Sequence, residues 1–211
     1  MNKQVIGVVD YEAGNLRTIE TVLEHLGASY ITSKDPKVLI KSDKILFPGV
    51  GDAGFSMKVL CTYGLNNFLI DWANSGKLLF GICVGCQLLF NSSEERDTKC
   101  LGILPGKVKR FPSGIKDNNG SRFKVPHMGW NQVNIEKNDH PLFRDINNLN
   151  SFYFVHSFYP VPSDKSDVLA TTDYIDDFAC AVARDNVLAT QFHPEKSGEI
   201  GLKLMQNFLK L

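Results

Sequence analysis

The chain has 211 residues, 43% of them hydrophobic, which is long for one average domain and short for two. Lys+Arg and Asp+Glu both number 23, so the formal net charge is zero and gives no general reason to bind nucleic acid or an anionic membrane. The apolar run at the N-terminus is too short for a signal peptide, and no other stretch approaches a membrane span. Five cysteines at irregular spacing fit a reducing cytoplasm better than a secreted disulfide scaffold.

The first half alternates apolar runs with segments of helical period, which is typical of βαβ units. Residues 4–10 ("QVIGVVD") read as a buried strand, and residues 15–27 as a helix that Gly27 ends. The apolar face of that helix consists of Leu16, Ile19, Val22, Leu23 and Leu26. Further strands are predicted at 29–33, in "DKILFPGVGD" before its glycine-rich loop, and at 77–80, with one or two helices over 57–76.

The second half changes character. Short segments joined by Asp, Asn, Pro and Gly turns predict antiparallel strands in "KVKRF", "VNIE", "SFYFVHSFY", "DVLATT" and "FACAVARDNVLATQF". A helix over residues 197–211 closes the chain. The expected fold is therefore a single α/β domain. It has an open, mostly parallel sheet flanked by helices, an antiparallel extension, and a site at the carboxyl ends of the strands.

Residues 81–86, "GICVGC", place Cys83 between Gly81 and Gly85. The strand "KLLF" precedes it and a helix is expected to start at "CQLLF". Small flanking residues allow the sharp strand-to-helix turn that presents a nucleophile. The amino end of the helix favours the reactive thiolate, and the backbone NH of Val84 could help to hold an oxyanion. The alternative is a site where small residues simply pack.

A cysteine nucleophile needs a base, and "HPE" offers one. An extended backbone sends His193 and Glu195 to the same side, and Pro194 stiffens the turn between them. A carboxylate beside an imidazole fixes its tautomer and steadies the imidazolium. A plain surface turn is the alternative.

The remaining histidines are weaker candidates for the base. Structural or solvated roles are expected for His25, in the first helix, and for His140, in a polar loop. His127 and His156 lie in proline-rich or aromatic-rich stretches, and their roles stay open.

Together, "GICVGCQLLF" and "QFHPEKSG" resemble the class I, triad-type glutamine amidotransferase family. The segments "FPGVGD", "KVPHMGWNQV", "YFVHSFY" and "QFHPEKSGEIGLKLMQNFL" narrow the resemblance to the glutaminase subunits of imidazole glycerol phosphate synthases, which act in histidine biosynthesis. The likeness covers essentially the whole chain and implies one amidotransferase domain over residues 1–211.

The resemblance implies that Cys83 attacks the side-chain amide of L-glutamine, that His193 shuttles protons and that Glu195 orients His193. Ammonia leaves, and water then hydrolyses the glutamyl thioester. The positions that match the family's oxyanion and substrate-binding residues are Gly49, Val50, Gly51, Val84, Gln87, Glu95 and Ser157. A carboxylate such as Glu95 suits the ammonium of an amino acid. No metal or organic cofactor is implied.

The family passes ammonia to a partner, a (β/α)8-barrel cyclase, within a heterodimer. The positions that match its interface are Asn15, Met128, Trp130, Tyr153 and Lys196. An exposed Trp and Met in a proline-glycine loop fit partner contacts, because such residues are enriched in interface cores. The alternative is that Trp130 packs into the domain's own core. The isolated chain is expected to have little glutaminase activity.

The other cysteines need a separate interpretation. Cys86 follows Cys83 by one helical turn and is expected to be a small buried apolar residue. A thioredoxin-like C-x-x-C pair is the rival hypothesis, and a zinc site would need two further ligands. Cys61 and Cys180 lie in apolar runs and are expected in the core.

Two segments depart from the family pattern. Glu12 stands where a glycine is usual, and "SSEERDTKCLGILPG" lacks the usual glycine-rich character. These departures leave open a paralogous glutaminase that supplies ammonia to another synthase, such as an amidation step in sugar biosynthesis. Two more distant alternatives are a catalytically silent binding subunit of the same fold and an intracellular hydrolase of the cysteine-protease type.

Overall fold

The computed structural model describes residues 4–12, 16–116 and 120–211. The described residues form six α-helices, which are α1 (Leu16–His25), α2 (Pro36–Leu39), α3 (Ala53–Thr62), α4 (Leu65–Asn74), α5 (Val84–Leu88) and α6 (Gly198–Lys210). They also form the strands β1 (Val5–Val9), β2 (Ser29–Ser33), β3 (Lys44–Gly49), β4 (Leu79–Cys83), β5 (Ser92–Ser93), β6 (Thr98–Lys99), β7 (Gly106–Arg110), β8 (His127–Gln132), β9 (Asn134–Ile135), β10 (Ser151–His156), β11 (Phe158–Pro162), β12 (Val168–Asp173), β13 (Asp177–Arg184) and β14 (Val187–Thr190). Four short 3₁₀ turns lie at Glu95–Asp97, Pro141–Phe143, Lys165–Asp167 and Pro194–Lys196.

The central sheet has eight strands in the order β2-β1-β3-β4-β14-β13-β12-β9. The pairs from β2 to β14 are parallel, and those from β14 to β9 are antiparallel. This confirms the predicted α/β sheet, which is mostly parallel and carries an antiparallel extension. Its central strands are buried along their whole length, as a sheet covered on both faces requires.

Some of the strands that were predicted for the antiparallel extension of the central sheet lie in two smaller sheets instead. Strands β8 and β10 form a separate two-stranded sheet, and β11, β7, β5 and β6 form another. The segment "SFYFVHSFY" is therefore not one strand, because it divides at Ser157 into β10 and β11, which belong to different sheets. The strand β8 was expected to be a proline-glycine loop, and that expectation is wrong.

Helix α1 confirms the predicted apolar face. Ile19, Val22 and Leu23 are buried, and Leu16 and Leu26 pack against the core. Gly27 follows with a φ of +65°, which is the left-handed conformation that commonly ends a helix. In the part of the chain that the structure describes, no helix combines the length and apolar character needed to cross a membrane.

The parallel register brings three chain segments to one edge of the sheet. Gly49, at the end of β3, pairs with Cys83, at the end of β4. On the other side of β4, Thr190 at the end of β14 pairs with Ile82, and the chain continues from there to His193. The carboxyl ends of adjacent parallel strands meet at the same edge, where open α/β sheets bind ligands.

Candidate active site

Cys83 lies on a strained strand-to-helix turn. It is the last residue of β4 and precedes α5 directly, with φ 55° and ψ −111°. The helix thus starts at Val84, not at Cys86 as the sequence suggested. A positive φ in a residue with a side chain costs about 1–3 kcal/mol, and such strain is concentrated at functional sites.

The two flanking glycines make this turn possible by their lack of a side chain. A Cβ on Gly85 would lie 1.9 Å from the carbonyl oxygen of Phe47, and one on Gly81 would lie 2.8 Å from Leu89 Cδ1. Helix α5 therefore packs directly against the backbone of β3. The prediction that small residues flank Cys83 for steric reasons is confirmed.

His193 is held by its backbone and by a carboxylate. Its NH donates to the Tyr153 carbonyl at 2.9 Å, and its own carbonyl accepts from Ser197 Oγ at 2.6 Å. The ring Nδ1 lies 2.7 Å from Glu195 Oε1, and both side chains are almost fully buried. An Nδ1–H that donates to the carboxylate leaves Nε2 as the nitrogen that exchanges a proton.

The charges of this cluster keep the imidazole protonated. Burial alone would lower the pKa of His193, but interactions with Cys83 and with the Glu195 carboxylate outweigh it and raise the pKa to about 10. Nε2 has no hydrogen bond of normal geometry among the described residues, although Cys83 is near enough to interact with the ring. Cys83 and Glu195 thus both favour the protonated form of the His193 ring.

Cys83 and His193 face the same cavity of about 270 Å³. That volume is near the lower end of small-molecule pockets, about 300–1,000 Å³, and suits a ligand as small as one amino acid. The cavity is lined by Val50, Gly51, Cys83, Val84, Gln87, Glu95, Pro126, Val155, His156, Ser157, Phe158 and His193. Of the predicted oxyanion and substrate-binding residues, only Gly49 is not among these lining residues, and it pairs with Cys83 from β3.

Glu95 gives the cavity a carboxylate. Its Oε2 accepts the backbone NH of Ala53 at 2.7 Å, which fixes the side chain against the start of α3. Partial burial raises the pKa of Glu95, the hydrogen bond from Ala53 lowers it, and the nearby Asp52 raises it further. Burial removes part of the hydration that stabilises the Glu95 carboxylate in water. An ammonium group in the cavity would replace that lost hydration with a charged hydrogen bond.

A buried hydrogen-bond chain behind the cavity was missed by the sequence analysis. Gln87 Nε2 donates to the Phe158 carbonyl and to Gln191 Oε1, both at 2.9 Å. Gln191 Nε2 in turn lies 3.7 Å from Cys83 Sγ. The only sequence signal for Gln191 was an amide at the end of an apolar strand, two residues before His193.

His127 and His156, whose roles were open, form a buried pair. His127 Nδ1 and His156 Nε2 are 3.0 Å apart, and His156 Nδ1 donates to the Phe158 carbonyl at 2.8 Å. Burial lowers the pKa of His127 to about 4 and that of His156 to about 3, so both imidazoles are neutral. His25 ends helix α1, and His140 Nδ1 accepts the NH of Leu142.

Most of the predicted interface residues cluster on one surface beside the site. Trp130 is 58% exposed and Met128 63% exposed, so the alternative that Trp130 packs into the core is wrong. The Trp130 ring lies edge-on to Tyr153, with 6.2 Å between the centroids. Lys196 is partly exposed in the turn that carries His193. Asn15 lies outside the described residues.

All five cysteines are free thiols. Cys86 is 1% exposed, and burial together with the neighbouring Cys83 raises its pKa well above the ordinary value, as expected for an inert core residue. Cys180 is buried as predicted, but Cys61 is exposed, so its assignment to the core was wrong. Over residues 4–12, 16–116 and 120–211, no three His, Cys, Asp or Glu side chains converge as a metal site.

Glu12 adopts the backbone conformation that a glycine would accept without strain, with φ 62°. Its carboxylate accepts from the Tyr63 hydroxyl at 2.5 Å and from Lys34 Nζ at 3.4 Å. The residue is exposed and does not line the cavity. This departure from the family pattern therefore leaves the cavity residues untouched.

Comparisons with known proteins agree with this geometry. A sequence model of the family "Glutamine amidotransferase class-I" matches residues 7–211. The chain is 47% identical to imidazole glycerol phosphate synthase subunit HisH of Halalkalibacterium halodurans, over 97% of this chain and 94% of the relative. It is 43% identical to the subunit of the same name from Nitratidesulfovibrio vulgaris, over 97% of this chain and 95% of the relative.

Solved structures share the fold at lower identity. PurLQS from Thermotoga maritima superposes with a TM-score of 0.72 at 24% identity, covering 99% of this chain and 98% of that one. A crystal structure described as glutamine amidotransferase gives a TM-score of 0.70 at 23% identity, covering 97% of each chain. The chain therefore belongs to the class-I glutamine amidotransferase family, and within it to the HisH subunits of imidazole glycerol phosphate synthase.

Proposed function

We propose that this chain is the glutaminase subunit of an imidazole glycerol phosphate synthase and that Cys83, His193 and Glu195 hydrolyse L-glutamine to glutamate and ammonia. One observation carries the proposal. A cysteine on a strained elbow and an imidazole backed by a carboxylate at 2.7 Å face the same small cavity, although 110 positions separate them in the chain. The identity of 43–47% with HisH subunits over almost the full chain supports the choice of synthase.

Glutamine is positioned in this proposal by the cavity wall. The partly buried Glu95 carboxylate accepts the substrate's α-ammonium, the backbone around Ser157 holds the α-carboxylate, and Gln87, whose NH₂ is bonded to Phe158 and Gln191, contributes its side chain to the wall. The side-chain amide then points at Cys83. Its oxygen faces the NH of Val84 on one side and the backbone of Gly49, Val50 and Gly51 on the other.

The chemistry proceeds in two halves. The Cys83 thiolate attacks the amide carbon, and the carbonyl electrons move to the oxygen, where the backbone NH groups stabilise the charge. As the tetrahedral intermediate collapses, the C–N bond breaks, His193 gives its Nε2 proton to the nitrogen, and ammonia leaves. The product is a glutamyl thioester on Cys83 beside a neutral His193.

Water completes the turnover. The neutral Nε2 of His193 removes a proton from a water molecule, and the resulting hydroxide adds to the thioester carbon. The C–S bond breaks, glutamate leaves, and the Cys83 thiolate and the His193 imidazolium are restored. Glu195 keeps its charge throughout and holds Nδ1–H in place at 2.7 Å.

Ammonia is delivered, in this proposal, to a (β/α)8-barrel cyclase that binds over Met128, Trp130, Tyr153 and Lys196. Two large apolar side chains that are more than half exposed fit the buried centre of an interface. Asn15, which lies outside the described residues, is also proposed to belong to this cyclase-binding surface. A cytoplasmic location is supported by the five free thiols.

The experiment measures glutamine-dependent ammonia release by the chain with and without the cyclase, for the wild type and for Cys83→Ala. We expect little release by the wild-type chain alone, strong stimulation by the ligand-bound partner, and none with Cys83→Ala. Ammonium salts should still support product formation in the mixture with Cys83→Ala, which shows that the cyclase is active, and co-elution of the variant with the cyclase in gel filtration shows that the variant folds and binds the partner. Ammonia release that persists in Cys83→Ala contradicts the nucleophile, and high turnover without a partner contradicts the coupling.

A further inference from the structure

Gln191 contacts the proposed nucleophile from inside the protein. Its side chain is fully buried, and Nε2 lies 3.7 Å from Cys83 Sγ, within the range of an N–H···S hydrogen bond. The proposed mechanism of Cys83, His193 and Glu195 assigns no function to Gln191. A carboxamide can present either its oxygen or its NH₂ to a neighbour, and only the NH₂ donates a hydrogen bond to sulfur.

The orientation of the amide is fixed by its neighbours. Gln87 Nε2 lies 2.9 Å from the Phe158 carbonyl, which can only accept, so this atom must be the NH₂ of Gln87. The same NH₂ faces the Gln191 amide at 2.9 Å and therefore requires the oxygen of Gln191 there. The remaining end of the Gln191 amide, its NH₂, is left to face Cys83.

A buried histidine pair fixes the other end of the chain. The Phe158 carbonyl also accepts from His156 Nδ1 at 2.8 Å, so His156 Nε2 carries no proton and accepts from His127 Nδ1 at 3.0 Å. Burial holds the pKa of both imidazoles far below neutrality, so these donors and acceptors keep their roles at physiological pH. Asn131 Nδ2 lies 3.3 Å from His127 Nε2 and begins the chain. The histidine half and the glutamine half of this network meet at the Phe158 carbonyl, which accepts from both His156 and Gln87.

We propose that Gln191 is a catalytic residue, which donates an N–H hydrogen bond to the Cys83 sulfur and stabilises the thiolate relative to the thiol. The inference rests on the proposed function for its catalytic meaning. A hydrogen bond to an ionised acceptor is stronger than one to a neutral acceptor, so this donor favours the charged form of the sulfur. Unlike His193, the amide does not titrate, and its contribution stays constant while the imidazole gains and loses its proton.

The test follows thiolate formation without glutamine. Cys83 is alkylated with iodoacetamide over a range of pH in a Cys61→Ser background, because Cys61 is the exposed thiol, and the adduct is located by mass spectrometry. In Gln191→Met, which removes the donor at similar size, the midpoint of the rate profile should rise by about one pH unit, a tenfold change in thiolate population. Gln87→Met frees the Gln191 amide to rotate and should give a smaller shift in the same direction.

The matched control is Asn207→Leu, which removes a different buried carboxamide. Asn207 donates to the carbonyls of Leu142 and Arg144 and contacts neither the cavity nor Cys83. Both variants should lower stability to urea, but only Gln191→Met should move the alkylation midpoint. An unchanged midpoint in folded Gln191→Met overturns the proposal.

A second measurement uses the unmodified chain and covers a failure of the variant to fold. The side-chain amide resonances of Gln191, in ¹⁵N-labelled protein, should shift with the same midpoint as the alkylation rate. Resonances that do not respond to the titration of Cys83 refute the hydrogen bond. Neither measurement uses glutamine, so their result is independent of whether Cys83→Ala abolishes ammonia release.

Discussion

Gly201 is a sharp test of how α6 positions the base, because it lies outside the cavity and contacts the turn that carries His193 and Glu195. A Cβ at this position would lie 1.9 Å from the carbonyl oxygen of Pro194 and 2.8 Å from Ser197 Cβ. The Pro194 carbonyl is backbone and already accepts the NH of Ser197 at 3.0 Å, so it cannot rotate away freely. Gly201→Ala must therefore move the helix, the turn or both.

The expected size of the effect follows from two opposing contributions. Ala is favoured over Gly inside a helix by about 1 kcal/mol. Overpacking a close contact costs about 1–3 kcal/mol, so the net loss of stability is up to about 2 kcal/mol. Ordinary contacts begin near 3.4 Å, so the atoms must separate by about 1.5 Å. Since a misplacement of about 1 Å can cost 10²-fold in rate, we expect kcat to fall by about that factor.

The assay compares ammonia release in the complex with unfolding in urea, and Gly54→Ala is the control. Gly54 is also helical, but its Cβ would meet only side-chain atoms, the nearest being Thr98 Oγ1 at 3.2 Å and Asp52 Oδ1 at 3.4 Å. Gly54→Ala should keep its activity and gain slightly in stability. Wild-type kcat in Gly201→Ala would refute the argument that the approach of α6 sets the position of His193.

Three further predictions concern other buried groups. Glu195→Gln should lower kcat by about 10²- to 10⁴-fold and lower the pKa of His193, which the pH profile of ammonia release reports; an unchanged profile counts against the orienting role. The pKa of His127 and that of His156 lie below the unfolded value of 6.5, so the unfolded chain binds more protons in acid. Stability should therefore fall from pH 6.5 to pH 4 by up to about 1.4 kcal/mol per unit for each histidine, and urea unfolding of His127→Gln should show a flatter dependence than the wild type. Cys86→Ala should retain most ammonia release while losing about 1 kcal/mol of stability to urea, and loss of activity without loss of stability would contradict a purely structural role.

The elements that could be predicted from the sequence are those determined by residues close together in the chain. The β-α order of the first half follows from periodic apolar residues, and the elbow follows from glycines within two positions of Cys83. Cys61 was misplaced for a related reason. It follows the buried Leu60 in an apolar run, but one step along a helix turns a side chain by about 100°, and α3 buries only one face.

The role of Gln191 could not be predicted, because its contacts are not local. Its partners Gln87 and Cys83 are 104 and 108 positions away in the chain, and only the parallel pairing of β4 with β14 brings these segments together. A buried amide in an apolar strand is a signal of unsatisfied hydrogen bonding, but it does not say which groups satisfy it. Residues that line the cavity were found through family motifs, whereas the groups behind them required the fold.

Strand β8 has two faces with different roles, and neither could be assigned while the segment was predicted to be a loop. Pro126 and Gly129 suggested a loop, but pairing with β10 makes residues 127–132 a strand, in which alternate side chains face opposite sides. Met128 and Trp130 project outward into solvent. His127 projects inward and is hydrogen-bonded to His156, within the buried network that also includes Gln191 beside Cys83. Because a slip of one residue would exchange the two faces, the same register presents the proposed partner surface and keeps the buried histidine pair in place.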